Sequence, residues 1–269
     1  MLMEADPFNR PLDFVSMQYH CIIIPSYNSG SLLAETVRSV TTLGFPVIVV
    51  IDGSNDGSEI PVLKMTNELA GLFVILNQLN SGKGGAFLDG LEFASARGFT
   101  HAVAFDSDGQ HDVTDIPVFI SASLRFPDAM ILGMPIFGPE APAARVNGRR
   151  VGNWWTNLET LWGGVNDSLF GFRIYPIEPS IRIMKSLKGG RRFDFDTQLA
   201  VRLYWSGIQP LNMPSKVRYP DRKEGGVTHF RYLRDNLLLI WAHTQLTLKA
   251  IPMLPRLIRL RARSPLSDQ

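Results

Sequence analysis

Short apolar runs that stop at polar clusters, each followed by a helix-length segment, constrain this 269-residue chain more than any other feature. Residues 20–27 (HCIIIPSY), 47–51, 72–76, 101–105 and 129–133 read as buried strands, apolar at consecutive rather than alternate positions. Between them, 31–42 (with Ser31 as N-cap), 58–70 and 86–97 read as helices. Strands alternating with helices predict an α/β fold, a mostly parallel central sheet covered on both faces. Such sheets bind ligands at the carboxyl ends of their strands, and the polar clusters of this chain stand there.

The second half is less regular. A Pro/Ala loop over 138–145 leads to a helix over 148–162, with Trp154, Trp155, Leu158, Leu161 and Trp162 on an apolar side. Residues 167–175 are strand-like, 197–205 form a helix ended by the C′ glycine Gly207, and 217–219 suggest a last strand. From Arg231 the character changes. Leu237, Ile240, Trp241, Thr244 and Leu248 share one side at helical spacing, Leu238, Leu239, Leu246 and Met253 widen it, and Pro252 and Pro255 break the helix. Charge is uneven on a chain of net +2: residues 216–263 hold 11 Lys and Arg against 3 Asp and Glu. This segment either packs onto the sheet domain or lies on a membrane surface, with Arg256, Arg259, Arg261 and Arg263 toward anionic headgroups. The arginines alternate with aliphatic residues and have no aromatic platform beside them, so no nucleic acid is expected. No run of 18 apolar residues exists, so no spanning helix is expected, and the N-terminus lacks the basic-then-apolar pattern of a signal peptide. The single cysteine, Cys21, excludes a disulfide framework and a Cys-based zinc site, and fits a cytoplasmic setting.

Three clusters can carry chemistry. Asp106-Ser107-Asp108 follows a strand; two carboxylates two residues apart can converge on Mg²⁺ or Mn²⁺, which are shared with substrate diphosphates, or can simply cap a loop. Gln110 and His111 follow at once. Asp52-Gly53-Ser54-Asn55-Asp56-Gly57 is either a turn or a nucleoside-reading loop. Asn80-Ser81-Gly82-Lys83-Gly84-Gly85 lacks the P-loop spacing, yet its backbone N–H groups and Lys83 can face an anion.

The order of these clusters resembles the inverting family 2 glycosyltransferases of GT-A fold, and within them the dolichol-phosphate mannose synthase and polyprenyl-phosphate glycosyltransferase branch. The resemblance is carried by Pro25-Ser26-Tyr27-Asn28, Asp52-Gly53-Ser54, Asn80…Gly82-Lys83-Gly84, Asp106-Ser107-Asp108-Gly109-Gln110-His111 and Gly171-Phe172-Arg173, and runs from Cys21 to His229. It implies an N-terminal extension (1–18), a catalytic domain (19–230) with a nucleotide-sugar half (19–135) and an acceptor half (136–230), and a C-terminal amphipathic helix with a basic tail (231–269). It also implies a UDP- or GDP-sugar donor held by Pro25, Tyr27, Asn28, Asp52, Ser54 and Lys83, with Asp106 facing the donor. Asp106, Asp108 and Gln110 hold the metal, and His229 and Arg231 sit on a loop that closes over the diphosphate. On the acceptor side Arg173 pairs with an acceptor phosphate, while Asp167 orients Arg173 or acts as a base. Asp196 is the candidate base for a hydroxyl acceptor, although Gln198 stands where the family often has a glutamate. The implied acceptor is a polyprenyl phosphate or other membrane lipid, met on the cytoplasmic face by a peripheral protein. The alternatives are a nucleotidyltransferase of related sheet topology and a silent sugar-nucleotide or lipid-binding scaffold.

Overall fold

The structure, a computed structural model, describes residues 19–138, 143–187, 189, 192, 194–217 and 232–263. Seven strands form one sheet: β1 (His20–Ser26), β2 (Val47–Asp52), β3 (Leu72–Asn77), β4 (His101–Ala104), β5 (Met130–Ile136), β6 (Arg173–Pro176) and β7 (Pro210–Lys216). Their order is β3-β2-β1-β4-β6-β5-β7. All neighbours are parallel except β6, which runs antiparallel to both β4 and β5. The chain builds outward from β1 to β3 and then crosses back to place β4 on the other side of β1. Ligand crevices open at such a reversal, here at the carboxyl ends of β1 and β4.

Strand side chains alternate between faces. In β1, Cys21 and Ile23 enter one apolar layer and Ile22 and Ile24 the other. Burying each Val or Ile stabilises the fold by about 1.5–3 kcal/mol relative to exposure. Pro25 sits within this buried central strand. Ile23 accepts from the Phe105 N–H on the β4 side, and Pro25, two residues on, points the same way beyond the last residue paired with β4. Its missing N–H therefore leaves no gap in the ladder.

The helices are α1 (Gly30–Thr41), α2 (Glu59–Met65), α3 (Lys83–Ser95), α4 (Asp115–Arg125), α5 (Ala143–Thr160), α6 (Ile177–Ser186), α7 (Phe195–Ser206), α8 (Tyr232–Ala250) and α9 (Leu254–Arg261). Helix α1 begins one residue before Ser31, and neither Ser31 nor the capping Ser29 makes a side-chain cap. Helix α3 begins at Lys83 rather than Ala86, so the glycine pair forms its first turn. A Cβ at Gly90 would lie 2.6 Å from Ile23 Cγ2, so only glycine there lets α3 lie this close on β1 and carry Lys83 to the strand ends.

Two strands differ from expectation. The 167–175 segment contributes only Arg173–Pro176, because Asp167 folds the preceding residues into a turn. The last strand among the described residues is Pro210–Lys216; of the expected 217–219, Val217 makes an isolated bridge to His111 and 218–219 lie outside the described residues. Its two prolines conceal it in the sequence, and they are tolerated because β7 is a sheet edge.

Helices α8 and α9 join through a 3-10 turn (Ile251–Met253), so the prolines tighten the helix instead of ending it. Pro255 falls in the first turn of α9, where its missing N–H removes no bond. Residues Arg234–Arg261 are long and apolar enough to cross a membrane by length and composition alone. One face is packed: Leu246, Ala250, Leu257 and Leu260 join the core that holds Leu203 and Trp205. Between α5 and α8, His243 Nδ1 lies 3.0 Å from buried Glu159 Oε1, and Trp155 Nε1 donates to Thr247 Oγ1 at 2.9 Å. The opposite face of α8, with Leu237, Ile240, Trp241 and Leu248, is exposed. The row named from the sequence is therefore the face that does not pack on the domain.

Candidate active site

The loops after β1 and β2 are stitched together. The Asn28 N–H donates to Ser54 Oγ at 3.0 Å, Asn28 Oδ1 accepts from the Asn55 N–H, and Asp56 Oδ2 accepts from the Gly30 N–H, both at 2.9 Å. Tyr27, Asn28 and Ser54 are half-buried at this rim. Ser26 Oγ, Ser29 Oγ and Ser107 Oγ form a hydroxyl chain, 2.9 and 2.8 Å per link, that ties β1 to the loop after β4.

Asp52 faces inward, which corrects its assignment to the nucleoside. It is only 1% exposed. Its Oδ1 accepts from the N–H and Oγ of Ser81, and its Oδ2 from the Gly82 N–H, all within 2.9 Å. The glycine-rich loop was expected to face an anion, and the anion on these two N–H groups is Asp52 itself. This fixes the entry to α3 and with it Lys83.

Lys83 is the hub. Its Nζ lies 2.7 Å from Asp106 Oδ1 and 3.3 Å from Asp196 Oδ2. Burial opposes its charge, but Asp106 and Asp196 outweigh that and raise its pKa. The other Asp106 oxygen lies 3.2 Å from His111 Nε2, which places the ring proton on Nε2 if that nitrogen donates. Burial would raise the Asp106 carboxyl, but Lys83 and His111 hold it well below the usual range. A Cβ at Gly171 would press on Asp106 Oδ2 and stand 2.8 Å from Lys83 Nζ. A larger residue there would displace the Asp106–Lys83 pair.

Asp108 has the opposite balance. Burial first, and the charge of Asp106 second, push its carboxyl upward. Among the described residues its one hydrogen bond is Oδ1 accepting from the Gln110 N–H at 3.1 Å. Asp196 is buried on the first turn of α7, and burial outweighs Lys83 and Arg173 to raise its pKa. Its Oδ1 has no hydrogen-bond partner among the described residues. Hard oxygen donors with excess negative charge suit Mg²⁺ or Mn²⁺, and Asp108 with Gln110 fits that role. Asp106 has both oxygens engaged. Among the described residues no three His, Cys, Asp or Glu side chains form a cage.

Two acceptor-side assignments are corrected. Arg173 is fully buried and cannot meet an acceptor phosphate. It donates through Nε to the Phe170 carbonyl, through Nη1 to Tyr175 Oη and the Asp196 carbonyl, and through Nη2 to the Asp167 carbonyl. It is a positioning residue that fixes the backbone of Asp196. The Asp167 carboxylate is also engaged: Oδ1 accepts from Arg149 Nη1 and the Leu169 and Phe170 N–H groups, and Oδ2 from Asn153 Nδ2. That leaves it no role as a base, and it meets Arg173 through its carbonyl alone. Arg149 and Asn153 were missed in the sequence. Their i, i+4 spacing on one helix was the available signal. His229 and Arg231 lie outside the described residues.

The model of glycosyl transferase family 2 matches residues 21–178. The chain is 28% identical over 235 residues to an uncharacterized protein of Methanocaldococcus jannaschii, covering 84% of this chain and 93% of that one. It is 27% identical to the UDP-N-acetylglucosamine–dolichyl-phosphate N-acetylglucosaminyltransferase of Methanococcus voltae, covering 74% and 86%. Among solved structures, glucosyl-3-phosphoglycerate synthase of Mycobacterium tuberculosis, in complex with Mn²⁺, UDP-glucose and phosphoglyceric acid, superposes with a TM-score of 0.63 at 16% identity over 90% of this chain and 85% of that one.

Proposed function

The chain belongs to the family 2 glycosyltransferases and has their GT-A fold, and from that premise we propose a metal-dependent, inverting transfer of a hexosyl or N-acetylhexosaminyl group. The donor is a UDP- or GDP-sugar, and the acceptor is a polyprenyl phosphate or another membrane lipid. The observation that carries this reading is the excess of carboxylate after β4. One ammonium, Lys83, lies between Asp106 and Asp196, while among the described residues Asp108 has no ion pair of its own.

Asp108 and Gln110, with Asp106, hold Mg²⁺ or Mn²⁺, which when bound neutralises the charge developing on the leaving nucleoside diphosphate. Tyr27, Asn28 and Ser54 line the nucleoside side, Lys83 lines the sugar-diphosphate side, and His229 and Arg231 close over it. The acceptor attacks the anomeric carbon opposite the departing diphosphate. Asp196 takes the proton of a hydroxyl acceptor. A phosphate acceptor is already anionic, and Asp196 then serves to fix Lys83. Dolichyl phosphate in the name of the Methanococcus voltae relative supports a lipid acceptor. So does the exposed apolar row of α8, which suits a peripheral position on the cytoplasmic face of a membrane.

The test is transfer of label from UDP-glucose, UDP-N-acetylglucosamine, UDP-galactose and GDP-mannose, in turn, to polyprenyl phosphate with Mg²⁺ or Mn²⁺. Organic-phase label from one donor, absent with chelator, is expected. Nucleoside diphosphate release without organic label moves the acceptor to a soluble molecule. Neither signal with any donor overturns the reading in favour of a silent binder.

A further inference from the structure

The carboxyl end of α7 and the α9 helix enclose an open cleft of about 460 Å³, remote in sequence from the residues after β4. Arg256, Arg259 and Arg263 line it together with Ser206, Gly207 and Leu260, and no carboxylate does. Arg256 and Arg259 stand about one turn apart on α9, and Arg263 follows just past its last residue, Arg261. Arg256 Nη2 donates to the Ser206 carbonyl at 3.2 Å, which covers the negative end of α7. Arg259 and Arg263 have no partner among the described residues. The volume suits a small polar group.

A second observation is independent of the charge. Leu237, Ile240, Trp241 and Leu248 on α8 are 51–65% exposed, and Ile251 and Ile258 beyond them are 58% and 61% exposed. The other side of the same helices is anchored in the core by Leu246, Ala250, Leu257 and Leu260. An apolar row of this length left open on a folded domain marks a docking surface. The arginines lie on the flank of α9 beside the end of α7, from which long side chains reach headgroups when a helix lies in a lipid interface.

We propose that the α7–α9 cleft binds the phosphate headgroup of an anionic membrane lipid while the exposed row of α8 and α9 lies in the acyl boundary. This rests on the membrane-surface reading given above and names the lipid class and the site. An arginine-lined cleft without a carboxylate complements an anionic surface rather than a second copy of the same cationic one.

The test uses the full chain and co-sedimentation with neutral phosphatidylcholine vesicles and with vesicles carrying phosphatidylglycerol, at about 0.15 M salt, where charges beyond ~8 Å are screened. Each arginine near an anionic surface is worth about fivefold in partitioning, the equivalent of about 1 kcal/mol. The triple variant Arg256→Gln, Arg259→Gln, Arg263→Gln is therefore expected to bind anionic vesicles roughly 100-fold more weakly, with unchanged binding to neutral vesicles and with thermal unfolding lowered only slightly, by loss of the Arg256 contact to the end of α7. A control triple, Arg38→Gln, Lys64→Gln, Arg125→Gln, removes the same charge from exposed positions on other helices. If it weakens binding equally, the cleft is not the site. Equal wild-type binding to both vesicle types overturns the headgroup site and leaves the membrane reading standing, provided Leu237→Ser with Trp241→Ser abolishes it. No binding to either vesicle, with a dimer in solution that the Leu237→Ser, Trp241→Ser variant dissociates, overturns both in favour of self-association. No binding and no dimer overturns both.

Discussion

Asp52 and Asp167 stand in the same crevice as Asp106, Asp108 and Asp196, yet the two groups are matched differently. Every oxygen of Asp52 and Asp167 accepts a hydrogen bond, mostly from backbone N–H groups or from side chains of one helix. They are braces, one for the entry to α3 and one for the turn before β6. The three carboxylates between them hold Lys83, approach His111, and leave Asp108 with a single backbone donor and Asp196 Oδ1 with none among the described residues. Such groups cost stability when buried, and perturbed carboxylates in a crevice are where chemistry is placed. The difference separates residues that shape the site from residues that act in it.

Variants should separate the same way. The largest effect is expected for Asp108→Ala: transfer falls by roughly 10³-fold or more, because the charge stabilisation worth several kcal/mol is lost. Its thermal midpoint stays level or rises, since a like charge beside Asp106 is gone. A large drop in midpoint would place Asp108 among the braces. Next comes Asp196→Asn. With a hydroxyl acceptor, transfer falls about 10²-fold. In the unsubstituted protein the rate climbs with pH through an inflection above the ordinary carboxylate range, because burial raises this carboxyl and only its anion accepts a proton. The inflection disappears in the variant. With a phosphate acceptor neither change is expected, so the pH profile sorts the two acceptor classes.

Asp52→Ala should do the reverse. It leaves the buried N–H of Gly82 unpaired, at about 1–3 kcal/mol, and the part-buried N–H of Ser81 without its acceptor. Denaturant titration should show the loss. Donor turnover per folded molecule should fall far less than in Asp108→Ala. A variant as stable as the wild type but inactive would return Asp52 to the nucleoside site.

The division between braces and reacting groups was only partly legible in the sequence. The sheet was, because buried parallel strands are uniformly apolar and end in polar clusters. The Asp106–His111 cluster was, because its spacing is local. The orientation of single side chains was not. Arg173 and Asp52 stand in motifs that suggest ligands, and only the fold shows them facing inward, since their partners lie up to 30 residues away. Strand β7 was hidden by Pro210 and Pro214, which an edge strand accepts and a sequence pattern does not. On α8 the apolar residues cover both sides, so periodicity could not tell the packed face from the open one. Burial of Leu246 and exposure of Trp241 decide it.

Ser107 tests where the boundary between the two groups runs, with the smallest expected effect. It stands between Asp106 and Asp108, yet its hydroxyl ends the chain from Ser26 through Ser29, so by position it belongs to the centre and by bonding to the braces. Removing the hydroxyl in Ser107→Ala deletes one buried link, worth about 1 kcal/mol. If Ser107 is a brace, the midpoint falls by that amount while transfer and the metal concentration for half-maximal rate change less than about threefold, the shift expected for sub-kcal/mol changes in positioning. If the metal requirement rises tenfold or more at unchanged stability, the hydroxyl chain is part of the reacting centre. The loop after β1 and the carboxylates after β4 then act as one unit rather than as frame and contents.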